Sequence, residues 1–500
     1  MRITNKMMTN NVLHNIGNNK QLLSKLENQY STGKKIQKPS DDPIVAVRAL
    51  KLRTNLSELT QYVEKNIPDA LNWMDTTESS MNIVNEILRQ MNTYCDQGAN
   101  DTLTATDRDS IITNLKELKQ QIYQEGTSNY AGRYVFTGYK TDTPLVFEND
   151  TDEYTYQITE NLTFEDVTIS STVINTVDLN AYKENGEVGD KMPTQVQTYR
   201  MRLSYMQLDK NEPATPPATT PPDIKLTYSD ADGNMQPMTG IKTVSITDAN
   251  AFQPGADEVH FIPETGELIF GENKYKDIYK SETIQAEYAK SEFNKNDLRP
   301  EHYFNCARTE KSTGKKVNFE KKNQEIQYEI NFNQKLTVNT QGDAVFSHDI
   351  GRALDDIINS VNDVLETEGK MAEVERLLKD EELTDENRKK LETMQEQLES
   401  EFTLRTAAMQ KSFSRGLTHT AKQQNKVNEA LSTLGGSYNR VLLTQSRLED
   451  QQVDFEDLLS VNEDVDLVDT IIKMTSAETI YNSSLSAASK LVQTSLLDFL

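Results

Sequence analysis

The 500-residue chain is acidic and has few hydrophobic residues. Its 53 Lys and Arg against 78 Asp and Glu give a net charge of -25, and 36% of its residues are hydrophobic. The negative charge argues against a general nucleic-acid-binding role, because contacts to phosphates require a basic surface. Two cysteines are too few for a disulfide scaffold, and no apolar run approaches the ~20 residues of a membrane span. The first residues lack the apolar core and cleavage site of a secretory signal peptide, so we expect any export to use another route.

The first 40 residues predict a helix with one apolar seam, meaning a row of apolar side chains along one side. Apolar residues recur three or four positions apart, which is the spacing of such a seam. A lone helix cannot bury it, so a partner helix is required. The segment is also basic, with six Lys or Arg and one acidic residue in positions 1–35. The seam consists of Val12, Ile16, Leu23, Leu26 and Tyr30.

Residues 41–144 predict a set of helices that begins at a clear cap. Asp42 can accept hydrogen bonds from the free N–H groups of a helix, and Pro43 suits the first helical position. The Asp41-Asp42 pair is a poor catalytic dyad, because adjacent side chains point in different directions and no partner acid follows. We therefore expect Asp42 and Pro43 to form a helix cap. Apolar seams follow at residues 45–63, 70–95 and 111–122.

The middle of the chain, residues 145–345, predicts β-structure. β-Branched and aromatic residues are concentrated in three stretches. A Pro-, Thr- and Ala-rich segment, 211–223, cannot be helical and is expected to be a linker. We therefore predict two β-rich lobes, 145–210 and 224–345. The three β-rich stretches are 154–177, 259–270 and 325–340.

The C-terminal part predicts helices again. Residues 350–364 and 413–459 each form a seam, and the charged stretch 366–411 between them predicts an inserted helical hairpin. Residues 448–472 carry nine acidic side chains and no basic ones, opposite in charge to the N-terminal segment. The last helix has a seam that consists of Leu467, Ile471, Met474, Tyr481, Leu485, Ala488 and Val492.

Together these elements predict an α+β fold in which helices at both ends bracket a β-rich insertion. The chain would run out along one set of helices and return along the other, which predicts an elongated molecule with both termini at one end. Residues 1–40 and 461–500 would form a terminal coiled-coil domain, and residues 41–144 and 346–460 a helical bundle domain. The oppositely charged terminal seams are typical of segments that fold on association, so we predict that they form an assembly interface.

The sequence offers no catalytic or ligand-binding constellation. Its five histidines are scattered, and neither an HExxH or CxxC spacing nor a Gly-rich phosphate-binding loop is present. We therefore predict that the protein is not an enzyme and has no catalytic residues, metal site or cofactor. We expect it neither to bind nucleic acid nor to insert into a membrane.

Several stretches resemble the flagellin superfamily, and within it the flagellar hook-associated protein 3 family, whose members form the hook–filament junction. Flagellins usually carry a DDAAGLAI-like run where this chain has Asp41-Asp42-Pro43-Ile44, which favours the hook-associated family. The likeness covers about 1–147 and 345–500. The stretches that carry it are the opening MRIT, KPSDDPIVAVRALKLR at 38–53, YAGRYVFTGYKTDTP at 130–144 and ETIYNSSLSAASKLVQTSLLDFL at 478–500.

The resemblance implies a structural role outside the cell. In this family the two termini pair as a coiled coil in the inner tube of a helical filament, and subunits are exported unfolded by the flagellar type III apparatus. The implied partners are further copies of the chain in a helical ring, the hook-side junction protein, flagellin, and a dedicated export chaperone that would bind within 467–500. The implied location is the hook–filament junction.

Three other functions remain open at this stage. The least favoured is an enzyme in the middle region, because it would require a convergent acid/base or metal cluster. The chain could be flagellin itself, the bulk filament subunit, which would dominate a sheared flagellar preparation. Alternatively, the middle region could be a displayed adhesin or carbohydrate-binding module. Binding of the 145–345 fragment to host or matrix ligands would indicate the adhesin or carbohydrate-binding alternative.

Overall fold

The chain has an α+β fold in the computed structural model, which describes residues 5–100, 103–210, 223–230, 233–248, 250–279, 281–379 and 384–497. Long helices lie toward both ends of the sequence and the strands lie between them. The α-helices are α1 (Asn5–Thr32), α2 (Pro43–Gln61), α3 (Ile67–Gly98), α4 (Ala105–Glu125), α5 (Leu179–Asn185), α6 (Glu272–Asp277), α7 (Pro300–Tyr303), α8 (Gly342–Val345), α9 (His348–Leu378), α10 (Asp385–Glu463) and α11 (Leu467–Leu497). The strands are β1 (Asn129–Tyr130), β2 (Arg133–Tyr134), β3 (Tyr154–Leu162), β4 (Val167–Ile174), β5 (Thr194–Arg202), β6 (Ile224–Ser229), β7 (Met235–Pro237), β8 (Ile241–Thr243), β9 (Val259–Ile262), β10 (Glu267–Phe270), β11 (Ile284–Lys290), β12 (Asn305–Glu310), β13 (Lys316–Phe319), β14 (Gln327–Asn331) and β15 (Gln334–Thr337).

The chain divides into two compact units. Unit 1 contains residues up to Leu71, the hairpin residues Tyr328–Leu336 and the chain from Asn439 onward. Unit 2 contains the remainder, including both large sheets. Unit 1 is larger than the terminal segments 1–40 and 461–500 that the sequence suggested, because it also holds all of α2 and the end of α10.

The helical seams predicted at residues 70–95, 111–122 and 350–364 are buried. The seam of α3 shows this most fully, since none of its eight side chains is more than 1% exposed. Its polar member, Thr77, donates its hydroxyl hydrogen to the carbonyl oxygen of Trp73 at 2.8 Å, so its burial leaves no unmet donor. These eight residues are Ala70, Met74, Thr77, Met81, Val84, Leu88, Met91 and Cys95.

The charged stretch 366–411 is the continuation of two long helices rather than a separate insertion. α9 runs on to Leu378, and α10 begins at Asp385 and continues without interruption through Gly435-Gly436. The stretch is rich in Glu, Lys, Gln and Leu, which favour helix at nearly every position, so the neighbouring helices extend into it. Its apolar side chains pack in a small cluster with Val177 and Leu179.

The two large sheets of unit 2 mix strands from both sides of segment 211–223. One sheet has the order β13-β12-β3-β11-β6-β7, and the other has the order β4-β5-β10-β9-β8. β3 pairs with β11, and β5 pairs with β10, both antiparallel. Ile158 and Tyr288 of the first sheet share one hydrophobic core with Met201 and Leu268 of the second.

The division into lobes 145–210 and 224–345 therefore differs from the observed architecture. Each half supplies strands to both sheets, so neither half has a core of its own. Pairing between distant strands cannot be read from local alternation, which is why the prediction placed the boundary at the Pro-rich segment. Most of that segment, residues 211–222, lies outside the described residues.

The hairpin of β9 and β10 turns at Thr265-Gly266. Gly266 has a φ of 62°, a left-handed conformation that glycine adopts at little cost. A Cβ at this position would also overlap the carbonyl oxygen of Tyr205. The turn thus requires glycine for two independent reasons.

Candidate assembly interface

The two terminal helices of unit 1, α1 and α11, pack against each other in antiparallel orientation. The Asn19 side-chain amide donates to the Ser484 hydroxyl at 3.1 Å, and Lys34 forms an isolated β-bridge with Asp464. Residue numbers increase along one helix as they decrease along the other, which fixes the direction. The N- and C-terminal parts of the chain are therefore partners of each other.

The N-terminal seam faces α11 along most of its length. Val12, Ile16 and Leu23 are half-buried and Leu26 is buried, while Tyr30 is exposed. Their spacing of four and three residues is continued by Asn19, which makes the hydrogen bond to α11. A polar residue within such a seam sets the register of two helices at a cost in stability.

The C-terminal seam divides into buried and exposed positions. Met474, Tyr481 and Ala488 are half-buried, whereas Leu467, Ile471 and Leu485 are 52%, 40% and 43% exposed. The side chain of Val492 lies outside the described residues. The inward row of α11 keeps a strict spacing of four and three residues, and it consists of Thr470, Met474, Ala477, Tyr481, Ser484 and Ala488.

Sequence reasoning missed the small and polar members of this row. Thr470 and Ala477 are each 5% exposed, yet neither is a large apolar residue. Counting large apolar side chains therefore placed the predicted seam one position away from the inward row at Ile471 and Leu485. A seam of small residues allows two helices to approach closely, which explains why Ala and Ser serve here.

A polar clasp closes the base of the helix pair. The backbone N–H of Lys35 donates to the Glu463 carbonyl at 2.6 Å, and that of Val465 donates to the Gly33 carbonyl at 2.9 Å. These two bonds join the turn after α1 to the turn before α11. We define the polar clasp as Gly33, Lys34, Lys35, Arg53, Glu463, Asp464 and Val465.

Ion pairs reinforce the clasp. The Glu463 side chain is 4% exposed and lies 2.6 Å from the Arg53 guanidinium and 3.4 Å from the Lys34 ammonium. Lys34 also pairs with Asp464. The basic N-terminal segment and the acidic stretch 448–472 were the sequence signals for this contact, although they did not identify the pairs.

The Lys34–Asp464 pair predicts a pH-dependent contribution to stability. The hydrogen bond between them lowers the pKa of Asp464 and raises the pKa of Lys34. The contribution should therefore be present above the ordinary carboxyl pKa and lost as the pH falls through the lowered value. It should likewise be present below the ordinary lysine pKa and lost as the pH rises through the raised value.

A double-mutant cycle with Lys34→Met and Asp464→Asn checks this expectation. We expect a coupling energy of about 0.2–1 kcal/mol near neutral pH, because both side chains are partly exposed, and none below the pKa of Asp464. The exposed pair Lys473–Asp469 lies within α11, so it is the matched control for an ion pair that does not join distant parts of the chain. An equal coupling energy in strong acid would contradict the assignment.

The cap of α2 has the geometry that its sequence suggests. An Asp42 carboxylate oxygen accepts the backbone N–H groups of Ile44 and Val45 at 3.0 and 3.1 Å, and Pro43 is the first helical residue. Asp41 accepts from Gln37 and Lys38 instead, so the two neighbouring carboxylates serve different turns.

Unit 1 leaves many large apolar side chains in solvent even though its terminal helices pair. Such side chains are common in monomers when scattered singly, but here they concentrate on a few helices. On α11, Val468 and Ile472 are 69% and 62% exposed on the side opposite α1. The exposed apolar face, as we call this set, consists of Met7, Met8, Leu13, Leu22, Ile44, Val47, Leu50, Leu442, Leu443, Val453, Leu458, Val461, Val468, Ile472 and Ile480.

Two family models match the ends of the chain. The bacterial flagellin N-terminal helical region matches residues 3–141, and the bacterial flagellin C-terminal helical region matches residues 417–500. Both matched regions contribute to the helix pair and to the exposed apolar face.

Named relatives include junction proteins and filament proteins. Flagellar hook-associated protein 3 of Salmonella typhimurium is 33% identical over 143 residues, which are 28% of this chain and 45% of the relative. A flagellin of Clostridium tyrobutyricum is 32% identical over 122 residues, 24% of this chain and 32% of the relative. The chain thus matches less than half the length of each. A solved structure of flagellar hook associated protein-3 from Legionella pneumophila has 11% identity and a TM-score of 0.28, and the match covers 82% of this chain and 96% of that one.

None of the helices in the described ranges combines the length and hydropathy needed to cross a bilayer. Within the same ranges, no group of three or more His, Cys, Asp or Glu is arranged to hold a metal ion.

Proposed function

We propose that this chain is a structural protein of the bacterial flagellum that forms the junction between hook and filament, outside the cell. The observation that carries the proposal is the exposed apolar face, which persists after α1 and α11 have paired. Both flagellin-type terminal regions and the similarity to flagellar hook-associated protein 3 support it.

Burial of the exposed apolar face by neighbouring subunits supplies the driving force for assembly. Each Leu, Ile or Val side chain that becomes fully buried contributes about 1.5–3 kcal/mol. We propose that this face contacts a different surface of the next subunit. Such heterologous contacts extend along a helix, and one turn of it forms a ring.

The predicted seam residues then have two roles. Val12, Ile16, Leu23, Leu26, Met474, Tyr481 and Ala488 hold the terminal helices together within a subunit. Tyr30, Leu467, Ile471 and Leu485 are exposed and contact neighbouring subunits. The exposed positions continue the exposed apolar face of α11, where Val468 and Ile472 lie.

The ring would contact the hook-side junction protein on one side and flagellin on the other. Export through the flagellar type III apparatus, with a dedicated chaperone on residues 467–500, is part of the same proposal. An apolar helix that is exposed in the free subunit needs protection before assembly, which is a physical reason for a chaperone at this segment.

Immunoelectron microscopy tests the junction assignment against the flagellin assignment. Antibodies to the 145–345 region would be applied to sheared flagella, with an antibody to flagellin as the control. We expect label only where filament meets hook. Label along the whole filament would show instead that this chain is the bulk subunit, which the flagellin relative makes the second candidate.

A further inference from the structure

Unit 2 contains a cavity of about 390 Å³ at the N-terminus of α9. Its walls come from α4, the segment after β5, the segment after β11, and α9. Along α9 it is lined by His348, Gly351, Arg352 and Asp355, which occupy one face of the first two turns. A volume of this size is in the range of small-molecule sites.

The cavity is positively charged in a strongly acidic protein. The chain carries a net charge of -25, yet cations outnumber anions among the cavity-lining side chains. The ammonium of Lys119 is 2.6 Å from the carboxylate of Asp355, so those two charges balance. The cationic side chains are Lys116, Lys119, Lys290, Lys295 and Arg352, and the anionic ones are Asp297 and Asp355.

Lys290 is the central charge of the cavity. It is 2% exposed, and its ammonium donates to the carbonyl oxygens of Met206 at 2.7 Å and Gln207 at 3.4 Å. Among the described residues, no carboxylate lies within ion-pair distance of it. The ammonium also lies 5.1 Å from the centre of the Phe293 ring. A buried ammonium without a counter-charge is costly, so an anion in the cavity would stabilise it.

The start of α9 adds partial positive charge to the same wall. The N-cap residue, Ser347, makes no side-chain capping bond, because its hydroxyl donates to the Gln423 side-chain oxygen at 2.8 Å. The Tyr123 hydroxyl instead accepts from the Gly351 N–H at 3.1 Å and donates to the Ser347 carbonyl at 2.9 Å. A Cβ on Gly351 would overlap that hydroxyl. The positive end of the α9 dipole lies at this wall of the cavity, where it favours negative charge.

Two further lining residues have buried polar atoms without partners in the described structure. Arg352 is 8% exposed, and its Nε lacks a hydrogen-bond partner. The Nε2 of His348 also lacks one, and its ring packs among Tyr205, Tyr303 and Phe304. Burial and the nearby Arg352 lower the pKa of His348 to about 3, so this ring is neutral near pH 7. Buried polar atoms without partners are uncommon in proteins, and a bound group or an ordered water can satisfy them.

We propose that this cavity binds a small molecule bearing an oxyanion, a phosphate or a carboxylate, with the anionic group at the Lys290 ammonium. Leu298 and Ile358 offer apolar wall to the body of such a ligand, and Lys116 and Lys295 lie exposed among the lining residues. Charge-assisted hydrogen bonds from Lys290 and Arg352 provide the recognition. The site lies wholly in unit 2 and does not depend on the junction function.

Calorimetric titration of the full-length monomer at low salt tests this assignment. The probes are inorganic phosphate in one arm and citrate in the other, which separates the two oxyanion types. We expect saturable binding of at least one probe. Lys290→Met should raise the Kd by about 10-fold or more, because a charge-assisted hydrogen bond is lost.

Lys140→Met is the matched control. The Lys140 ammonium also donates to a backbone carbonyl, that of Glu301 at 2.8 Å, and lies 4.3 Å from the centre of the Phe319 ring, but it does not line the cavity. The Lys140→Met variant should bind the probe with the same affinity as the unaltered protein. Lys295→Glu, at an exposed lining position, should weaken binding without affecting folding, and it decides the outcome if Lys290→Met fails to fold. The proposal would be overturned if neither probe bound saturably. It would also be overturned if Lys295→Glu and folded Lys290→Met bound the probe as tightly as the unaltered protein does.

Discussion

Filaments should detach from cells that carry the double substitution Val468→Asp and Ile472→Asp. Both side chains point away from α1, so the monomer should fold with a stability within about 0.5 kcal/mol of the unaltered chain. In the assembled ring they would place two carboxylates in an apolar contact. Burial of unpaired charge costs several kcal/mol for each group, which exceeds what the lost apolar contacts contributed.

The measurement is flagellin in the culture medium, alongside counts of attached filaments by electron microscopy. The matched control exchanges the two residues, Val468→Ile and Ile472→Val, which conserves apolar area at the same positions. It should retain filaments. An immunoblot must show that the Asp variant is exported, and normal attachment of filaments by an exported Asp variant would refute the role of this face.

Phe413→Ala should cause a large loss of stability in the helices of unit 2. The Phe413 ring is fully buried and lies so close to Gly98 that a Cβ there would overlap it. Truncation removes the ring and leaves a cavity that two long helices cannot readily close. Such substitutions cost about 3–5 kcal/mol.

Urea unfolding followed by circular dichroism checks this value. Ile83→Ala on α3 is the control, because Ile83 is 45% exposed and its truncation should cost well under 1 kcal/mol. A small effect of Phe413→Ala would mean that the helices around Gly98 repack freely. The substitution Gly98→Ala, which adds a methyl group at the same contact, would then also be tolerated.

Helices could be predicted from the sequence because their signal is local. The row from Ala70 to Cys95 on α3 repeats every three or four residues, and burial on one side of a helix produces that period directly. On α9 the predicted seam from Ile350 to Val364 is buried as well. On α10, buried side chains recur every seven residues from Phe413 to Leu448. The β-rich stretches were also located correctly, since alternation and β-branched content are local as well.

Strand partners could not be predicted, because they depend on contacts between distant residues. β3 gives no indication that it pairs with β11, more than 100 positions away, rather than with the nearer β4. At the candidate interface, the inward-facing side of α11 also depends on contacts with a distant part of the chain. Its inward row includes Thr470 and Ser484, and only the register against α1 reveals why small polar residues belong there.

The place of β11 in its sheet constrains when the protein can fold. β11 lies between β3 and β6, both of which precede it in the sequence, so neither has its inner partner until Ile284–Lys290 is present. A chain delivered N-terminus first would therefore expose unpaired strand edges until more than half of its residues had emerged. Such edges favour aggregation, and late pairing is slow. Delivery of this subunit into a confined space, one chain at a time, would keep those edges from meeting another copy.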